Sequence, residues 1–141
     1  MPTFYGLQMN KVLNSPLQSL IEVAHVGGRV RCFNEKITLA SQAIADIVYV
    51  ARLPKNAVPL FGVIHSSVTL GATTFSVGVT GTVAKYRALA VFTTPDIPVI
   101  YGLVAPFGEM LTVQEDWFLT IAALAFPAAG TLRHQVYYTL D

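Results

Sequence analysis

From Arg29 to its end, the chain is cut by glycine, proline and asparagine into short runs of β-branched and aromatic residues. This punctuation constrains the fold more than any other feature. The clearest run is the last, "TLRHQVYYTL" (131–140). A strand points successive side chains to opposite faces. Leu132, His134, Val136, Tyr138 and Leu140 therefore form an inward set, while Thr131, Arg133, Gln135, Tyr137 and Thr139 face out. In "TTFSVGV" (73–79), Phe75, Val77 and Val79 alternate with Thr74, Ser76 and Gly78 in the same way.

The other runs are read by the same rule. "RVRCF" and "KITLA" flank Asn34-Glu35, a plausible hairpin connection. "ADIVYVARL" (45–53) puts Ala45, Ile47, Tyr49, Ala51 and Leu53 on one face, and "PKNA" (54–57) is a turn. "AKYRALAVFTT" (84–94) mixes helix-favouring Ala and Leu with a strand-like Val-Phe-Thr-Thr end. "IPVIYGLVA" (97–105) and "WFLTIAALAF" (117–126) are apolar on both faces, as central strands covered on both sides are. About eight strands recur at spacings of about 8–15 residues, the signature of an all-β sandwich or barrel, and a jelly roll fits the count best. The β domain is expected over 29–141.

Residues 1–28 show no sustained period, and Lys11 and Glu22 are their only charges. The segment is expected to be an extended arm laid on a neighbouring surface, with Gly27-Gly28 as its hinge. Phe4, Tyr5, Leu7, Met9, Leu13, Leu17, Leu20 and Ile21 would be its contact residues. Composition supports that expectation: hydrophobic residues make up 53% of the 141-residue chain and charged ones only 12%, about half the usual share. Too few charges remain to cover a monomer's surface, so much of it is expected to lie against other subunits.

Several function classes find no support. Nine basic residues scattered singly, with a net charge of +1, lack the clustered footprint of a nucleic-acid binder. The longest stretch free of Asp, Glu, Lys and Arg, Asn56–Ala84, contains Pro59, His65 and four glycines. It reads as strands and not as a membrane-spanning helix. The first residues lack the basic start and apolar core of a secretory signal. "SVGVTGTVAKY" (76–86) fails as a phosphate cradle: Gly78 and Gly81 are three apart, Lys85 lies four beyond the second, and Tyr86 stands where the hydroxyl residue belongs. It reads as a strand end, a turn and one solvated lysine.

His25, His65 and His134 show no metal-ligand spacing, and His134 is expected to be a hydrogen-bonded core residue. His65 cannot pair with the adjacent Ser66, because neighbours on a strand face opposite ways. Cys32 is expected to be a small buried hydrophobe. Glu115-Asp116 reads as a turn before an apolar strand. No catalytic residue, metal or cofactor is expected. Trp117, Tyr137 and Tyr138 could form a sugar-binding platform, although core and interface packing is the stronger reading of all three.

Three stretches carry a resemblance: "VIHSSVTLGATTFSVGV" (63–79), "DWFLTIAALAFPAAGTL" (116–132) and "VYYTLD" (136–141). Leu70-Gly71 through Gly78, then Asp116, Ala129-Gly130, Tyr138 and Asp141 follow the pattern of small virion proteins of tailed bacteriophages. Over residues 45–141 the chain is similar to that group. It departs in the loop "VTGTVAKYRALA", which is less acidic and polar than is usual there. The resemblance implies a structural role, with no catalytic residues to carry over. Its leading form is a capsid decoration (cement) protein on the outer shell, bound to the major capsid protein and self-associated as a homotrimer. A neck, tail or fibre-base component, or a carbohydrate-binding jelly roll, stands as the alternative.

Overall fold

The chain's final strand sets the frame, because it lies inside a sheet and touches a strand on either side. The computed structural model describes residues 28–103 and 105–140. They form β1 (Arg29–Thr38), β2 (Ile47–Leu53), β3 (Val58–Ser66), β4 (Thr74–Val79), β5 (Thr82–Val91), β6 (Val99–Tyr101), β7 (Glu115–Ala122) and β8 (Thr131–Leu140), with no helix among the described residues. One sheet runs β1-β8-β3-β6 and the other β2-β7-β4-β5, every pair antiparallel.

The pairing is nested. β1 joins β8, β2 joins β7, β3 joins β6 and β4 joins β5, as in one long hairpin. Rolling that ribbon brings β8 against β3 and β7 against β4. This is a jelly roll, as the run spacing predicted. The inward set of β8 is also as read: Leu132, His134 and Val136 are buried, and Tyr138 and Leu140 pack against the core.

Four expectations need correction. Asn34 and Glu35 do not turn; β1 runs straight through them, paired with Gln135 and His134 of β8. A ten-residue partner strand supplies a complete ladder, which outweighs the turn preference of Asn. In β2 the alternation breaks where the register shifts between Tyr49 and Ala51. The extra residue of a bulge reverses the phase, so Val50, Ala51 and Leu53 are buried while Ile47 and Tyr49 are exposed. β6 is a three-residue edge strand and not a central one, and its Ile100 is 70% exposed. Cys32 faces out from β1 and is exposed. The ambiguous run 84–94 is strand as far as Val91, and the Pro54–Ala57 turn is present, with Asn56 at φ 69°.

Between the sheets lie Trp117, Tyr86, Phe75, Leu39, Leu53 and Leu119, all fully buried. Each such side chain contributes about 1.5–3 kcal/mol by leaving water. Trp117 and Tyr86 stack with ring centroids 3.6 Å apart, and Phe107 meets them edge-on at 6.0 and 5.3 Å.

Candidate functional site

Several polar groups inside the sandwich are engaged with one another, while Thr120 Oγ1 and His134 Nδ1 have no partner among the described residues. Glu115 begins β7, and alternation puts it on the same face as Trp117. Its Oε2 accepts from the Tyr86 hydroxyl and, at 3.3 Å, from Trp117 Nε1, while Oε1 accepts from Lys85 Nζ. Burial, then the Glu115 carboxylate, pushes the Tyr86 hydroxyl far above its ordinary range. Lys85 is thus a half-buried ion-pair partner and not a solvated charge. Glu115 is the first residue of a strand and not part of a turn. These contacts of Lys85 and Tyr86 with Glu115 hold β5 to β7.

Arg87 has a comparable role. The β4–β5 register slips twice, between Phe75 and Val77 and between Val77 and Val79. The guanidinium donates to the carbonyls of Phe75, Ala90 and Val91 and lies over the Phe75 ring. Burial lowers its pKa from the ordinary value. His134 is the hydrogen-bonded core residue expected: Nε2 lies 2.5 Å from the Tyr101 hydroxyl, and Nδ1 meets no polar atom among the described residues. Burial alone holds its pKa down, to about 3.

"SVGVTGTVAKY" is a strand end and a turn, as read. Gly78 sits within β4, where a Cβ would lie 2.2 Å from the carbonyl oxygen of Thr82, and Ser76 Oγ donates to Val83 O at 2.7 Å. The glycine lets β5 fold back over β4. Gly81, at φ +85°, makes the turn. Ser66 and Ser67 tie the loop after β3: Ser66 Oγ donates to Val68 O, and Ser67 Oγ accepts from the Thr131 amide. No group of three or more His, Cys, Asp and Glu that could hold a metal lies among the described residues.

What remains is surface. Phe61, Tyr137 and Cys32 form one cross-strand row on the outer face of the first sheet, with the Phe61 and Tyr137 rings stacked at 4.8 Å. Past Phe61 an open groove of about 540 Å³ is walled by Leu60, Ile100, Leu103 and Phe107. Leu103 also borders a second depression with Ala105 and Pro106, so the apolar surface is continuous around β6. Lys36 and Arg133 lie at the polar end of the same sheet face, with Arg133 3.4 Å from Asn34 Oδ1. No helix of the described residues is long and apolar enough to cross a membrane.

A third hollow, of about 390 Å³, opens between β1 and β2 and is lined by Phe33, Glu35, Tyr49, Arg52 and Asp116. Of the aromatic residues considered for a sugar platform, Trp117 is 0% exposed and cannot serve. Tyr137 is half-buried against Phe61 and Tyr138 packs on the core. The expected contact residues Phe4, Tyr5, Leu7, Met9, Leu13, Leu17, Leu20 and Ile21 all lie outside the described residues.

The eight-strand rolled ribbon defines the chain as a jelly-roll protein whose surface carries apolar grooves around β6 and a polar-rimmed hollow between β1 and β2. No family model matches it, and no curated protein does. Among solved structures it is similar to a chain of the cyanophage Pam1 capsid asymmetric unit, at 20% identity and a TM-score of 0.67, over 81% of this chain and 86% of that one. A chain of the Ralstonia phage GP4 capsid gives 22% and 0.65 over 81% and 86%. One from the acid-stable capsid of Helicobacter pylori bacteriophage KHP30 gives 11% and 0.60 over 79% and 87%. At these identities the likeness is one of fold.

Proposed function

We propose that this chain is a non-enzymatic structural subunit of a tailed-phage virion, a decoration protein that binds the outer capsid shell. One observation carries the reading: three separate phage capsid structures contain a chain of this fold, each matched over most of both lengths. The surface agrees with it. Lys85, Tyr86, Arg87 and Glu115 are engaged in structural contacts, whereas apolar side chains stand exposed around β6. A decoration protein works by mass action. It binds across neighbouring capsomers and only in the assembled shell, so each bound copy favours the shell over its parts. Self-association as a homotrimer and attachment through residues 1–28 to the major capsid protein complete the proposal.

The test is addition of purified protein to undecorated heads. Stoichiometric uptake at hundreds of sites, with a rise in the heads' melting temperature, is expected. Uptake confined to a single vertex or to tails would replace the shell reading with a neck or tail one.

A further inference from the structure

We propose that the hollow between β1 and β2 binds a neutral saccharide. Its shape comes from the β2 bulge. By holding Val50 and Ala51 both inward, the bulge leaves Tyr49 and Arg52 on the outer side as neighbours. Tyr49 is 63% exposed, yet its ring is steadied edge-on by the buried Phe118 at 5.7 Å and 75°. Exposure with a fixed orientation is what a stacking platform requires, because little side-chain entropy remains to be lost on binding.

The polar rim is equally fixed. Arg52 Nε and Nη2 donate to the two oxygens of Asp116 at 2.5 and 2.8 Å, a planar fork that keeps both groups in place. That hydrogen bond also holds the Asp116 carboxyl below its usual range, so it is an acceptor at neutral pH. The remaining guanidinium donors are unengaged among the described residues. Opposite, Glu35 projects from the inward side of β1, half-buried, and among the described residues its carboxylate receives only the adjacent Lys36 amide at 3.1 Å.

Charge decides the ligand class. A cation would meet Arg52 on the rim, with Arg31 on the same side of β1 as Glu35. An anion would meet Glu35 and Asp116. A neutral ring carrying hydroxyls satisfies both signs, since each hydroxyl donates to a carboxylate or accepts from the guanidinium, while its C–H face covers Tyr49. The volume lies at the low end of small-molecule sites, which suits one or two sugar rings with the rest of a glycan leaving through the open side.

This inference stands apart from the virion reading and has its own test. Saturation-transfer NMR on the full chain, with a panel of gluco-, galacto- and manno-configured neutral oligosaccharides, should give binding for at least one class. Tyr49→Ala should weaken it roughly tenfold, and Tyr49→Phe should retain it. Glu35→Gln should weaken it less than Tyr49→Ala does. Circular dichroism and melting verify that each variant is folded. Absence of binding to the folded chain, or binding indifferent to Tyr49→Ala, overturns the proposal. So does loss of head attachment in Tyr49→Ala without any saccharide signal, which would make the hollow a protein contact.

Discussion

Acid should destabilise this protein through one buried imidazole. His134 is 0% exposed, and burial holds its folded-state pKa at about 3 against the ordinary 6.5. Below pH 6.5 the unfolded chain takes up a proton that the folded chain refuses. The contribution is therefore fully present above about pH 6.5 and lost as pH falls toward about 3. One proton of difference gives a slope of about 1.4 kcal/mol per pH unit, or about 2 kcal/mol between pH 7.5 and 5. The groups facing the ring do not oppose this direction. Burial keeps Tyr101 protonated, and Glu35, its cross-strand neighbour on β1, is half-buried at the rim of the hollow. Urea unfolding of the native chain and of His134→Gln at the two pH values isolates the effect, because the carboxylates are common to both. The native chain should lose about 2 kcal/mol more than the variant. Equal losses would refute the account and mean that the ring is protonated, or reached by water, in the folded state.

Gly78→Ala should destabilise by about 3 kcal/mol in urea unfolding, since its Cβ would meet backbone of Thr82 and Val83 at 2.2–2.6 Å. Gly81→Ala, with open space but a φ of +85°, should cost only about 1 kcal/mol. Trp117→Ala should lower stability by about 4 kcal/mol by emptying the stack on Tyr86, which a thermal melt reads directly. Deleting residues 1–26 should leave the β-type circular dichroism signal intact and reduce uptake by undecorated heads. Loss of that signal would make the segment part of the core, and unchanged uptake would make it a passive tail.

The legible parts of the fold were those set by neighbours on both sides. β8 lies between β1 and β3, and β4 between β7 and β5, so the inward sets of both strands followed from alternation alone. Edges were misread. β1 is exposed or half-buried from Arg29 to Lys36, so it carries polar residues on both faces, and that polarity resembled a turn at Asn34-Glu35. The β2 bulge leaves no mark in composition, yet it exchanges the faces of Tyr49 and Val50. For that reason the hollow beside Tyr49 was invisible in the sequence, while Trp117, the obvious aromatic, proved to be core. The pairing of Lys85 with Glu115 joins residues thirty positions apart, a contact that spacing does not encode and only the rolled ribbon creates.

The sheet edges say how such a chain associates. Open strand edges invite addition of another chain's strand unless something blocks them, and each edge here is blocked differently. β1 carries Arg29, Arg31 and Lys36; β2 is bulged; β5 slips register twice; β6 is three residues long and follows Pro98. Strand-to-strand growth, which would run on as an open ribbon, is thereby disfavoured at all four. Exposed apolar side chains remain on these strands and beside them: Phe61 on the outer face of one sheet, Leu89 and Val91 on β5, Ile100 and Leu103 around β6. Contacts through such patches are limited in extent and can close on themselves. The shell attachment proposed above would call for that combination of blocked edges and adhesive faces.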